Sequence, residues 1–521
     1  MRLLVFHGYL LRGTGSNIYN ANLARALVGL GVELHLLCQD RSAAALEFVD
    51  AVGRFEGDRL TVEVLREPVR CTVYLPDIDG VLPVYVPDRY EGFEAVPFYD
   101  LDGDAVDRYL DANVRAVREV VERAAPEGAL ANHAIMGPAI LARALPGSVP
   151  FAAKVHGSAL EYVVRPHPGR FLPYAREGLG AAACVLVGSR HTAESLWGLV
   201  GDDLRERTRL GPPGVDVEAF RPRAPAEAGE RLRALAGRLE GAATEWGGEG
   251  GAAAALRSLD PEREPIVAYV GKLIVSKGVD LLLAAWPLVV AAVPAARLCV
   301  VGFGTYRDAL DRFVRALTKG DLGELREIAA RGRELEGGPP GELSHLAAFL
   351  DGLEGEARER YLAAAPGAAE RVAVTGRLEH EDLVDLLPAC SAQVVPSTFP
   401  EAFGMVAAEA ACCGVLPLSA AHSGLAEVSA ALGPALDESL RDLLAFERGP
   451  DAVEQIAAKL IRWLTLPAPE RAAASESLAA VARGRFGWDG VARGVLAASQ
   501  GRLSELEEPG ARATPSSPAS G

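Results

Sequence analysis

Paired cysteines, long apolar runs and an excess of basic charge are all missing from this chain. Its 521 residues include seven cysteines, at Cys38, Cys71, Cys184, Cys299, Cys390, Cys412 and Cys413, and none of them forms a C-x-x-C pair. That argues against a thiolate zinc site and against a disulfide framework, and it leaves buried thiols in a reducing, cytoplasmic setting as the expectation. Basic residues are outnumbered, 53 Lys and Arg against 70 Asp and Glu, for a formal net charge of −17. Nucleic acid is therefore not an expected partner, and charge-driven attachment to anionic lipid is disfavoured. No run of about 20 apolar residues exists, so no transmembrane segment is expected. Met1 to Phe6 is too short for a signal peptide and reads as a first buried strand.

The composition, 49% hydrophobic and 24% charged, is that of a globular protein, and the length suits two domains. Leu3 to Phe6 reads as a strand, His7 to Asn17 as a loop, Ile18 to Leu30 as a helix ended by Gly31, and Val32 to Leu37 as a second strand. That order is a βαβ unit, which implies a parallel sheet with ligands at the strand C-termini. Gly13 and Gly15 could bring bare amides near a phosphate, with Ser16 and Asn17 beside them. Ile18 stands where a dinucleotide fingerprint would have its third glycine, so an NAD site is poorly supported. Residues 44–128 are less legible, with strands near Arg59 to Leu65 and Val81 to Val86 and a helix from Ala105 to Arg123. His133, His156 and Ser189 each follow a strand-like run, where an open α/β sheet places its ligand.

The same grammar restarts after the Gly- and Pro-rich boundary at 211–265. Pro265 to Val270 is a strand that runs into Gly271-Lys272-Leu273-Ile274-Val275-Ser276-Lys277-Gly278 and then a helix. Lys272 and Lys277 flank that junction and could both lean on one diphosphate. The stretch from Pro396 to Glu409 follows another strand and opens a further helix. Amides at Phe403, Gly404, Met405 and Val406 would form an anion seat there, and Gly404 would let a ligand approach the backbone. On one continuous helix, Glu401 and Glu409 would stand about 12 Å apart along the axis and about 80° apart around it. That spacing suits the two ends of a nucleotide-sugar.

These segments in this order resemble the retaining GT-B glycosyltransferases of family GT4. The resemblance rests on GKLIVSKG (271–278), VVGFG (300–304), VTGRLEHEDL (374–383), VVPSTFPEAFGMVAAEA (394–410) and HSGLAEV (422–428). It extends through GTGSN (13–17), KVHGS (154–158), VGSRHTAESL (187–196) and PPGVDVEAFRP (212–222) in the first half. It implies an α/β fold of two Rossmann-like domains with parallel sheets facing across a cleft. Residues 1–215 would form the acceptor-side domain, with a helix at 484–500 crossing back onto it. Residues 216–262 would be a linker with a helical insertion, and 263–480 the nucleotide-sugar domain, carrying an insertion at 306–369 that would serve as lid or interface. The tail, 503–521, would be disordered.

By the same resemblance, Lys272, Lys277 and the helix amides hold the donor diphosphate. Glu409 takes the ribose, Glu401 the hexose, and Gly271 and Leu378 line the donor. His156 lies under the reacting sugar and Gly15 approaches the phosphate. Gly13, Ser16, Asn17 and His133 fall on the acceptor side. The implied reaction is metal-independent retaining transfer of a hexosyl group to an acceptor hydroxyl. It would need no cofactor beyond the nucleoside-diphosphate sugar and no metal site. Acceptor (sugar, lipid-linked or small molecule), donor base and oligomeric state stay open. Rival readings are a sugar-nucleotide epimerase or hydrolase on the same fold, a Rossmann oxidoreductase, and a non-catalytic scaffold that binds nucleotide-sugars.

Overall fold

The computed structural model describes residues 1–12, 15–86, 92–240 and 251–510. The chain divides into two compact units, Met1–Gly214 with Trp488–Gly521, and Val215–Gly487.

The first unit is built on β1 (Arg2–Phe6), β2 (Glu33–Leu37), β3 (Ala51–Glu56), β4 (Arg59–Val64), β5 (Cys71–Leu75), β6 (Val81–Val84), β7 (Glu94–Pro97), β8 (Gly128–Asn132), β9 (Phe151–Val155), β10 (Cys184–Val187) and β11 (Thr208–Leu210). Nine of these strands form one sheet in the order β11-β10-β9-β8-β1-β2-β5-β3-β4. All its pairings are parallel except the β3–β4 hairpin. Strand alternation divides β1 between two cores. Leu4 and Phe6 enter one core, while Leu3 and Val5 enter the other with Leu23, Leu27 and Trp488. The helix Trp488–Ser499 therefore closes the second face, and Gly128 leaves room for its end: a Cβ there would lie 2.8 Å from the Ser499 carbonyl oxygen. Residues 484–487 belong instead to the second unit.

The expected helix at Ile18 opens earlier, over Gly15–Gly29. Asn17 and Asn20, poor helix formers in isolation, are held there by bonds to Arg12 O and Ser16 O. The tail also departs from expectation. Residues 503–510 pack on the first unit: the Leu210 N–H donates to Glu507 O at 2.7 Å, and the Arg209 guanidinium holds Leu503 O. Residues 511–521 lie outside the described residues.

The second unit adds β12 (Ile266–Val270), β13 (Arg297–Val301), β14 (Val372–Gly376), β15 (Ala392–Val395), β16 (Leu416–Ala420) and β17 (Ala445–Phe446). Their order, β14-β13-β12-β15-β16-β17, is a doubly wound sheet that reverses between β12 and β15. Both inserted segments are integral to this unit. The helix Pro225–Glu240 buries Leu232 and Leu235 in its core, and Arg231 and Arg238 bind the carboxylate of Asp385. The 306–369 segment contributes helices whose apolar stripes, Leu310, Phe313 and Leu317 among them, enter the same core. It is a structural layer rather than a detached lid. Among the described residues no helix is long and apolar enough to cross a membrane.

Candidate active site

In an open α/β sheet the loops on either side of the reversal leave the strand C-termini together, and ligands bind there. In the second unit these are 271–278 after β12 and 396–404 after β15. Thr398 N–H donates to Ser276 O at 2.9 Å, locking one loop on the other. Gly278 adopts φ 64°, and a Cβ on it would lie 2.0 Å from the Pro396 oxygen, so only glycine fits. This contact brings Lys277 Nζ onto Glu401 Oε1 as an ion pair. Ser397 Oγ donates to the same oxygen at 2.5 Å. Glu401 is fixed through its backbone as well: its N–H donates to Ser423 Oγ, and its carbonyl accepts the Gly424 N–H. His422 Nε2–H donates to Ser397 O at 2.7 Å, which leaves Nδ1 of the neutral ring to accept from Ser423 Oγ.

The next helix is Met405–Cys412. The Ala407 and Ala408 amides bond Gly404 O, so those of Met405 and Val406 precede the first intrahelical bond and face outward along the dipole. Glu401 sits in the loop ahead of this helix, so the continuous-helix spacing between Glu401 and Glu409 does not apply. Gly404 also has a packing reason beyond the expected one. A Cβ there would come 2.8 Å from Leu425 Cδ2, so the glycine lets the Ser423–Leu432 helix pack closely. Phe403 meets Phe486 edge-on, and Leu378 is half-buried against the core.

Glu409 is 2% exposed and accepts from His380 Nε2 at 2.8 Å. Burial works against a charged His380, but the bond and charge of Glu409 outweigh it and raise the imidazole above its ordinary value. Lys272 is exposed, and its carbonyl accepts from Tyr269 Oη. Gly271 donates its N–H to Val301 O.

The first unit carries a second cluster, at the reversal between β1 and β8. His7 Nε2–H is shared by Leu10 O and Asn17 Oδ1, and its Nδ1 accepts from Asn20 Nδ2 at 3.0 Å. Burial pushes His7 down to about 4, so the ring is neutral at physiological pH. Asn20 and Asn132 exchange two side-chain bonds, and Asn132 Oδ1 also accepts His156 Nε2–H at 2.8 Å. Loss of hydration, with His133 and Lys154 nearby, holds His156 well below the usual histidine range. Its Nε2–H tautomer is thereby set by Asn132.

His133, at φ 69° and 2% exposed, has no hydrogen-bond partner on either ring nitrogen. Its ring centroid lies 4.5 Å from Tyr85 and 5.0 Å from His156. Lys154, on the neighbouring strand β9, is buried with Nζ on Gly211 O and over the Tyr19 ring, and burial lowers it to about 7. Asn17 turns inward to His7 and Arg12 and shapes the loop rather than its surface. Gly15 is exposed at the helix start, and the Ser16 carbonyl is taken by Asn20. Gly13 lies outside the described residues. Sequence reasoning passed over His7, Asn20, Asn132 and His380. For His7 and Asn132 the signal was present, since each stands at the C-terminal end of a strand.

Two family descriptions match this arrangement: "Glycosyltransferase Family 4" over residues 13–219 and "Glycosyl transferases group 1" over residues 346–478. The chain belongs to the GT4-type glycosyltransferases. A D-inositol 3-phosphate glycosyltransferase from Segniliparus rotundus is 28% identical over 292 residues, 56% of this chain and 46% of that protein. Its counterpart from Xylanimonas cellulosilytica is 29% identical over 350 residues, 66% of this chain and 63% of that protein. The chain thus spans about half to two thirds of the length of these curated relatives. Among solved structures, sucrose-phosphate synthase from Thermosynechococcus elongatus superposes with a TM-score of 0.54 at 19% identity, over 97% of this chain and 98% of that one. Anabaena Alr3699/HepE in complex with UDP gives 0.56 at 14% identity, over 97% and 100%. The GT4-type chain shares the GT-B fold of these neighbours.

Proposed function

We propose that this protein is a retaining, metal-independent glycosyltransferase that moves a hexosyl group from a nucleoside-diphosphate sugar to an acceptor hydroxyl. The observation that carries the reading is that the Lys277–Glu401 pair and the open amides of Met405 and Val406 belong to the two loops leaving the second sheet at its reversal. A cation and a helix N-terminus on such loops suit a diphosphate. In the reaction the bond from the anomeric carbon to the phosphate oxygen breaks, and the diphosphate leaves with the electron pair. The acceptor oxygen then bonds to the oxocarbenium-like carbon from the same face, and its proton passes to the departing phosphate. Negative charge grows on the leaving group, so Lys277, Lys272 and the amides act most strongly in the transition state.

Glu409, oriented by His380, would take the ribose hydroxyls, and Glu401 would face the hexose. A neutral His156, its Nε2–H held by Asn132, would accept a hydrogen bond from a sugar hydroxyl through Nδ1. The UDP complex of HepE supports a nucleotide donor, and the names of the curated relatives make a phosphorylated polyol the first acceptor to try. The seven free, buried cysteines support a reducing, cytoplasmic setting.

The test is a thermal-shift screen with UDP, GDP, ADP, their sugars and NAD(H), run on wild type and Lys277→Ala. A nucleoside diphosphate should raise the midpoint of wild type alone. Stabilisation by NAD(H) only would overturn the reading.

A further inference from the structure

The 306–369 segment reaches the loop that carries Lys272 and Lys277. We propose that Glu336 is a positioning residue for this donor-phosphate loop, which makes the segment a working part of the donor site. The inference rests on the donor reading above.

The loop is tied down on several sides. Main-chain ties include Gly271 N–H to Val301 O at 3.0 Å, Leu273 N–H to Phe303 O at 2.8 Å, Tyr306 N–H to Leu273 O at 3.0 Å, and Thr398 N–H to Ser276 O at 2.9 Å. One further tie is a carboxylate on a backbone amide. Glu336 Oε2 accepts the Val275 N–H at 2.7 Å, from 61 residues along the chain. The Glu336 side chain is only 11% exposed, so this charge-assisted bond is shielded from water.

Both ends of the bond are prepared locally. Val275 opens the short 3-10 turn Val275–Lys277, and a carboxylate at the start of such a turn meets its positive end. Lys277 closes the same turn and points to Glu401. Fixing the first amide therefore fixes the base from which the ammonium group projects. Glu336 ends its own turn, Arg333–Glu336, with Arg333 Nε on its other oxygen. That turn is anchored by Gly332, at φ 46°, where a Cβ would lie 1.9 Å from the Gly341 oxygen. Neither Glu336 nor Val275 lies within residues 13–219 or 346–478, the segments that match the family descriptions.

The test compares full-length wild type, Glu336→Gln, Glu336→Asp and Glu336→Ala. Hydrogen exchange over 271–278 is read in the ligand-free protein, and affinity for UDP, GDP and ADP is read by calorimetry. Glu336→Gln keeps an acceptor oxygen in place and should stay within about threefold of wild type in both. Glu336→Asp keeps the charge but withdraws it by one methylene. It should resemble Glu336→Ala, with exchange about tenfold faster and nucleotide binding about tenfold weaker. Donor KM should rise more than kcat falls. Unchanged loop exchange in Glu336→Asp and Glu336→Ala would overturn the proposal, as would equal behaviour of Glu336→Gln and Glu336→Asp. If wild type binds none of the three nucleotides, the donor reading fails, while the exchange data still decide whether Glu336 holds the loop.

Discussion

Lys277 and Glu401, 124 residues apart in sequence, form an ion pair where the strand order of the second unit reverses. The two side chains are 31% and 25% exposed, partly desolvated but within reach of a ligand. On the proposed donor reading, an arriving diphosphate would meet a lysine already oriented by a carboxylate, which is itself held by Ser397 and the Ser423 loop. In that reading the pair is pre-organised, and little reorganisation would be needed as charge develops on the leaving group.

Removing the cation should therefore cost rate in addition to weakening nucleotide binding. Lys277→Ala is expected to lower kcat/KM for the donor by about 100-fold, with Lys277→Arg recovering only part of the loss because its planar fork differs from the ammonium point charge. Steady-state kinetics with varied donor measure this. Wild-type values in Lys277→Ala would remove the residue from the site.

The His380–Glu409 pair sets a pH dependence of stability. Burial opposes the charge on His380, but Glu409 raises its folded value above the unfolded one, about 6.5. Its contribution is thus fully present below about pH 6.5 and is lost as pH rises through the folded value. The difference in Tm between wild type and His380→Phe should be largest in acid and shrink toward alkaline pH. A difference that grows with pH would contradict the pairing.

Lys154 works in the other direction. Burial lowers it to about 7, against about 10.4 in the unfolded chain. Between those values the unfolded chain holds a proton that the folded protein has released, so stability rises with pH over that window. Denaturant midpoints from pH 6 to 10 should climb for wild type and stay flatter for Lys154→Met. Parallel curves would show that the lysine is hydrated in solution.

Asn132 gives a separate handle on His156. Asn132→Leu removes the acceptor that fixes the Nε2–H tautomer while keeping the side-chain size. Turnover should fall about tenfold to a hundredfold, with donor KM within about threefold of wild type. Nitrogen NMR of His156 should show mixed tautomers. An unchanged tautomer would mean that another group orients the ring.

The sequence by itself determined a good deal. Runs such as Leu3 to Phe6 and Val185 to Val187 are apolar on both faces, which only a covered parallel sheet tolerates. Glycines and prolines at fixed places after those runs marked the loops at strand C-termini. Those signals are local, carried by neighbours a few residues apart, so the α/β class, the motif loops and Lys277, Glu401, Glu409 and His156 as candidates could be read directly. Local signals misplaced what depends on neighbours. Gly404 read as room for a ligand, and the structure adds that it makes room for Leu425. Asn17 looked like an acceptor contact and is a buried partner of His7. The 306–369 segment read as a lid or interface because what ties it to the loop, such as the Glu336 carboxylate 61 residues from Val275, is not a local signal. Tertiary structure alone decided which carboxylate meets which cation, which ring nitrogen keeps its proton and which amide Glu336 holds. Those choices depend on distances between residues remote in the chain, and periodicity along a chain carries no information about them.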